Sequence, residues 1–469
     1  MNAGDQLFGF SVSLFLVGLA ALVGGFVRCG AGPVISRRDA IVVAALLLPL
    51  YVAFQLLPLP LGLVRLLSPM RGEIAEALQL IGPAPTWATL TIAAPTTWLF
   101  LWRSLGYVLI FLLARQIAAR STRRFTATLP LLLFGLVEAA WVISQVAAGD
   151  TTRPGSYSSK DHVAGLLEMV LPLAAAYGIA VLSRARRAGY LSGGDAVTAG
   201  SFFALAAGIF AAITFSLSRA GLFSALGSLL VMGLLATVGG KPGRRRWPLL
   251  GALVLALAIV FVFVIPADLV QHLGRLVSGT DTDGRLPIWR DTLHLIRDFP
   301  FFGVGLGNFY PAILRYQTSA FGVAFTAAHN DYLQQLAELG VVGVGLPAIV
   351  LIGACSRAAR AALASRDSET RWFAVGCAGS LVALLIHSVF DFNTYVLANA
   401  MVLAWVAGLA ASTRAVATAP AGGRSPSPVP PPSLRPVLLG AGAVLTAGAT
   451  IWLVFLTSYH DQPSAERRR

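Results

Sequence analysis

"TAAHNDYLQQLAELGVVGVGLPAIVLIGACS", residues 326–356, changes character in its middle. The first half gathers His329, Asn330, Asp331, Tyr332, Gln334 and Gln335. The second half, from Gly340 on, carries no charge. Asp331 followed three residues later by Gln334 has the spacing of a helix N-cap and its partner. Gly340 has the character of a helix stop, so 332–339 reads as a short helix entering a membrane span at 340–356. A bilayer core about 30 Å thick takes roughly 20 apolar residues, and the chain supplies such runs repeatedly.

The composition agrees. Of 469 residues, 56% are hydrophobic and 12% charged, against about 25% charged in a soluble domain. Apolar runs at 7–27, 39–57, 96–115, 127–147, 162–182, 198–215, 220–238, 248–266, 340–356, 372–390, 395–412 and 437–457 predict an all-α polytopic membrane protein of about twelve transmembrane helices. One long broken helix could replace the pair 198–215 and 220–238. The run 7–27 lacks a basic leader and a small-residue cleavage site, so it is read as a retained span. The chain divides into a membrane core, 1–412, with one large loop at 267–339; a Pro-rich linker, 413–436; and a last span with its tail, 437–469.

The net charge of +14 does not argue for nucleic acid. Basic residues cluster in short loops between apolar runs, where they set orientation. The loops beginning at 28, 115, 183, 239, 356 and 413 hold 21 of the 35 Lys and Arg and are assigned to the cytoplasm. That places 58–95, 148–161 and 267–339 outside, together with both termini. Residues 58–95 read as a Pro-punctuated loop with a short amphipathic helix. Arginine, 33 of the 35 basic residues, presents a planar fork suited to phosphate. The three cysteines have no metal-ligand spacing, and no disulfide framework is expected.

Polar residues then collect on the outer side. His329 precedes a helix N-terminus, where exposed N–H groups favour an anion. A neutral imidazole there could accept a proton from a hydroxyl. Arg219, in "SLSRAGL", stands between two apolar runs. "SYSSKDH" brings Lys160, Asp161 and His162 to a span entrance, with Arg153 upstream and Glu168 two turns in. His387 and Asp391 are spaced to share one helix face. Leu286, Trp289, Leu293 and Ile296 predict an amphipathic helix that follows Arg285, carries Arg290 and Arg297 and stops near Pro300. The glycines of "GVGLG", 303–307, serve close backbone packing rather than a dinucleotide. Arg103 is a possible partner for Glu138 or Glu168. A D-x-D at 281–283 is a turn, and no metal pattern occurs.

Four stretches in order, "GSYSSKDHVAGLLEMVLPL", "SLSRAGL", "DGRLPIWRDTLHLIRDFPFFGVGLGNF" and "AHNDYLQQLAELGVVGVG", resemble the O-antigen ligase and polymerase family of bacterial envelope enzymes. The resemblance implies an inner-membrane, metal-independent, inverting glycosyltransferase with a large periplasmic loop containing short helices, and no cofactor. Its donor would be an undecaprenyl-diphosphate-linked glycan. Its acceptor would be a hydroxyl of lipid A–core, of a growing glycan or of a protein, met among membrane lipid. Carried over by motif, Arg219 and Arg285 would grip the diphosphate and His329 would stand beside the acceptor. Lys160, Arg153, Arg290, Asn330, Asp331, His387 and Asp391 are the candidate substrate-binding residues. "SSKDH" departs from the N-x-N-like context of many relatives. Ligase and polymerase share these motifs. A flippase for lipid-linked glycans would use similar arginines, but it should show matched halves, and no internal repeat is evident.

Overall fold

The computed structural model describes residues 16, 18–20, 39–77, 80, 82, 83, 85–121, 123–150, 155–238, 285–318, 325–413 and 442–450. Most of the runs predicted at 7–27 and 437–457, all of 248–266, the linker after Thr413, the D-x-D turn and Arg153 lie outside these residues.

The described helices are α1 (Ala40–Gln55), α2 (Leu61–Leu67), α3 (Pro69–Ala77), α4 (Ala94–Arg120), α5 (Leu129–Ala147), α6 (Lys160–Ala188), α7 (Gly193–Phe215), α8 (Arg219–Val238), α9 (Arg285–Asp298), α10 (Phe309–Ile313), α11 (Asp331–Ala364), α12 (Ser368–His387) and α13 (Leu397–Ser412). Seven of the helical segments described are long and apolar enough to cross a membrane, and α1 and α13 are shorter apolar helices. Each matches a predicted run to within about six residues except α11, which takes in both the predicted short helix 332–339 and the run 340–356 and runs on to Ala364. The pair 198–215 and 220–238 resolves into α7 and α8, separated at 216–218.

Several local expectations change. The loop 58–95 holds two short helices rather than one, and a two-residue antiparallel ladder pairs Leu59 with Ala88 and Pro60 with Trp87. That ladder is a small exception to the all-α reading. Arg103 lies over the Phe100 ring. Glu138 accepts from Ser156 and Glu168 meets His387, so neither carboxylate is committed to Arg103 as expected.

The helices pack on small residues, because lipid tails offer no hydrophobic drive between spans. Ala354, Ala358, Ala361 and Ala362 of α11 and Ala407, Ala410 and Ala411 of α13 are buried. Helix α6 is the core member: nearly all of 163–174 is buried, against α7, α8 and α12. At the helix ends opposite the site described below, Asp39 receives Arg115 Nη2 at 2.6 Å and Arg357 Nη2 at 2.6 Å. Arg357 also reaches the Ala411 carbonyl at 3.1 Å. The Asp39 carboxylate ties α1, α4 and α11 there, and Arg357 extends the tie to α13.

A second small core caps the other end. Ile288 and Leu295 of α9 pack with Val304, Phe309, Ile313, Ala328 and Ala337, and Met70 and Ile74 of α3 lie against them. Leu286, Arg290, Leu293 and Arg297 are left on the outward face of α9.

The glycines of 303–307 and Gly340 join cap to bundle. Gly340 breaks α11 at φ 65°, ψ 178°, a conformation essentially confined to glycine. The break frees Val341 and Val342 to donate to the carbonyls of Pro300 and Phe301, at 2.9 and 3.2 Å. A Cβ on Gly340 would come within 2.3 Å of the Phe301 oxygen. Gly340→Ala is therefore expected to destabilise the fold by at least about 1–3 kcal/mol, read as a lower thermal midpoint in detergent. The same change at Gly345, where a Cβ meets nothing within 4 Å, should have little effect.

Candidate active site

The segment before α11 is shaped by its own polar side chains. The N-cap is Asn330, not Asp331 as the spacing suggested: Asn330 Oδ1 accepts from the Leu333 amide at 3.1 Å. Gln334 turns back to accept from the Ala328 amide at 3.0 Å. Trp289 of α9 donates its indole N–H to the Ala328 carbonyl at 2.9 Å. Between these restraints His329 adopts φ +48°, a left-handed conformation uncommon outside glycine. Such strain persists only where the surroundings over-determine it.

Asp331 is free to do something else. Its amide donates to the carbonyls of Ser388 and Asp391, at 2.8 and 3.1 Å. Its buried carboxylate accepts from Ser388 Oγ at 2.8 Å, from the Thr394 amide and from Thr394 Oγ1. Gln335 donates to Thr394 Oγ1 at 3.0 Å. The turn 388–394 is thus stapled to the start of α11 across some sixty residues of sequence.

That staple brings Asp391 to His329. His329 Nδ1 stands 3.2 Å from Asp391 Oδ1, with the imidazole 38% exposed and the carboxylate 3%. An Nδ1–H donated to the carboxylate leaves Nε2 as the basic atom. Burial pushes the Asp391 carboxyl up, but the His329 hydrogen bond and the charge of His162 and His387 prevail and hold it below the usual carboxylate range. His387 and Asp391 do not share a helix face. Helix α12 ends at His387, and Asp391 lies in the following turn, its amide donating to the His387 carbonyl at 3.1 Å. The His387 side chain is fully buried, with Nδ1 2.9 Å from Glu168 of α6.

The N-termini of α6 and α8 meet beside this unit. Ser218 Oγ donates to Asp161 at 2.6 Å and accepts from the Gly221 amide at 3.1 Å. Arg219, the first residue of α8, is exposed. Its guanidinium and the helix N-terminus both favour an anion. Lys160, the first residue of α6, is exposed two positions before His162. Arg285 opens α9, half-buried, one turn before Trp289 and on the same side of the helix. Arg290 is exposed on that helix.

The candidates therefore fall into three sets. His329, Asn330, Asp331 and Asp391 are in direct contact, with His387 behind them. Arg219 and Lys160 share the adjoining α6–α8 junction. Arg285 and Arg290 lie on the cap helix that Trp289 fastens to residue 328. Asn330 and Asp331 spend their side chains on internal hydrogen bonds. His162, Asp161, Ser218 and Thr394 join the site without having been chosen for it. "KDH" and "SLSR" held the first three in plain view; their pairing across 57 residues of chain was the missing signal. Among the described residues no group of three or more His, Cys, Asp or Glu is arranged to hold a metal ion.

Two further features support the site. Glu338 is buried and accepts from the Gly307 amide at 2.7 Å, the Phe309 amide at 3.0 Å and the Tyr395 hydroxyl at 2.9 Å. A glutamine there would set an NH2 group against N–H donors. Glu338→Gln is expected to cost about 1–3 kcal/mol, visible as a lower thermal midpoint, and to loosen both the cap and the 393–395 turn. Beside it, a cavity of about 170 Å³ opens between α1, α4, α11 and α13, lined mainly by apolar residues such as Leu48, Phe111, Val350 and Leu403. Ser104, Tyr107, Gln335, Thr394 and Tyr395 also line it.

No curated protein matches the chain. Residues 202–348 match the family model described as O-antigen ligase (Wzy_C). That span starts within α7, takes in Arg219, Arg285 and His329, and ends in α11. Polar groups gathered at one end of a bundle of apolar helices, with this match running through them, make the chain a multi-pass membrane protein whose residues 202–348 are similar to the O-antigen ligase family.

Proposed function

We propose that the protein transfers a glycan from a polyprenyl diphosphate, of the undecaprenyl type, to an acceptor hydroxyl at the periplasmic face of the bacterial inner membrane, with inversion and without a metal. The observation that carries this reading is the exposed His329 imidazole held by a buried carboxylate, Asp391, at 3.2 Å beside the arginine-bearing start of α8. His329 Nε2 accepts the acceptor's proton as the new C–O bond forms at the anomeric carbon. The bond to the diphosphate oxygen breaks, and its electron pair leaves with the phosphate. Arg219 and Arg285 hold the diphosphate where charge develops, with Lys160, Arg153 and Arg290 as further cationic contacts. Asn330 and Asp331 position His329. The apolar cavity beside Thr394 suits a lipid tail.

Lipid A–core is the acceptor in the ligase form of this reaction. A growing chain is the acceptor in the polymerase form, which uses the same groups. The test is purified protein in proteoliposomes with a labelled lipid-diphosphate glycan and each acceptor in turn. A new glycosidic bond with release of polyprenyl diphosphate is expected. Movement of the lipid between leaflets with no bond formed would place the protein among flippases instead.

A further inference from the structure

Asp391 is flanked by two imidazoles, and the transfer mechanism uses one of them. His162 Nε2 stands 3.4 Å from Asp391 Oδ2, on the carboxylate's other oxygen, with the His162 side chain 13% exposed. Oδ2 is buried and no described residue donates it a well-aligned hydrogen bond, so the His162 contact at 3.4 Å is the polar group facing it. Both imidazoles meet the Phe392 ring edge-on, with centroids at 4.9 Å for His162 and 5.1 Å for His329. The arrangement is a carboxylate and a phenyl ring held between two histidines, one from the start of α6 and one from the approach to α11.

The backbone fixes His162 as firmly as His329. Its carbonyl accepts from Asn399 Nδ2 at 2.8 Å, and Asn399 also takes the Tyr157 hydroxyl at 2.9 Å. The preceding residue, Asp161, is bound by Ser218 next to Arg219. His162 thus sits where the acceptor-activating pair meets the α6–α8 junction that presents Arg219. A bare carboxylate with two equivalent oxygens can rotate. Occupying Oδ2 from the far side leaves Oδ1 aimed at His329 Nδ1.

We propose that His162 is a positioning residue for the transfer reaction: it holds Asp391 from the side opposite His329 and thereby fixes the orientation of the base. This rests on the reading in which His329 and Asp391 act as one unit. His162 touches no substrate in this role, so its effect passes through Asp391 alone.

The test is a double-mutant cycle on the full-length protein in proteoliposomes, with a labelled lipid-diphosphate glycan as donor. His162→Leu is expected to lower kcat about 10–100-fold, the scale of an ångström-level misplacement, with KM for the donor little changed. His162→Gln, which keeps an N–H donor at a similar reach, should recover most of that loss. In an Asp391→Asn background His162→Leu should add less than about twofold, because residues that act through one another are not additive. Full additivity of the two changes would overturn the proposal, as would unchanged kcat in His162→Leu. A loss accompanied by a collapsed thermal midpoint and no recovery with glutamine would also overturn it, since that marks a packing role. His329→Ala separates the two levels. If it retains transfer, the underlying mechanism fails. If it abolishes transfer while His162→Leu is silent, only the role of His162 fails.

Discussion

His329→Ala is expected to lower kcat for glycan transfer by about 10²–10⁴-fold, the usual contribution of a positioned general base. The thermal midpoint should barely move, because the imidazole is 38% exposed and its loss opens no core cavity. The φ +48° backbone at this position is no easier for alanine than for histidine, so the change keeps that strain and removes the base. Asp391→Asn should approach the same loss by another route. An asparagine can present its NH2 to Nδ1, which selects the wrong tautomer and leaves Nε2 protonated. Because its neighbours hold Asp391 below the usual carboxylate range, the carboxylate stays charged above that range and loses its charge only as pH falls through the lowered value. Its contribution should therefore be constant across neutral pH and fade only in strong acid. Transfer rates of the two variants and of wild type, measured at saturating donor between pH 6 and 8, check both statements.

Arg219→Ala and Arg285→Ala carry the second large expectation. In the proposed mechanism each removes a fixed positive group from the place where the leaving diphosphate gathers charge, an interaction worth on the order of 10²–10³ in kcat when lost. Lysine at either position should recover part of the rate but not the whole, because a point charge replaces a bidentate fork. The contrast with His329 lies in which substrate each change affects. The arginine variants should raise KM for the donor as well as lower kcat, since the diphosphate is charged before transfer as well as after. His329→Ala should leave donor KM nearly unchanged. Initial rates against donor concentration separate the two patterns. Equal behaviour of all three variants would mean that the arginines do not contact the donor.

Much of this arrangement could be read from the chain, and the limits of that reading are physical. Spans were legible because lipid demands long apolar runs, and α4 to α8, α12 and α13 follow the predicted runs closely, while α11 extends its run at both ends. The role of "GVGLG" was legible because repeated glycines imply close backbone approach, here to Glu338 and Ala337. Local capping was read one residue out. Asp331 and Asn330 are both good N-cap residues, and the choice fell to Asn330 because Asp331 was taken by Ser388 and Thr394, partners no local pattern shows. His387 and Asp391 were given one helix face because their spacing allows it; the helix instead ends at His387. The His329–Asp391 contact spans 62 positions, and the His162–Asp391 contact spans 229. Neither leaves a trace in periodicity. Composition and motif gave the parts of the site, and tertiary pairing decided which part serves which.

A single-turnover transfer measurement tests the central claim most directly. Wild type and His329→Ala, each in proteoliposomes, are mixed with a limiting lipid-diphosphate glycan of known anomeric configuration and excess hydroxyl acceptor, and the product linkage is read by NMR. Wild type should form a glycosidic bond of inverted configuration and release polyprenyl diphosphate, and His329→Ala should be slower by at least about 10²-fold. A product of retained configuration, or transfer by His329→Ala at the wild-type rate, would contradict direct attack by a hydroxyl activated at His329.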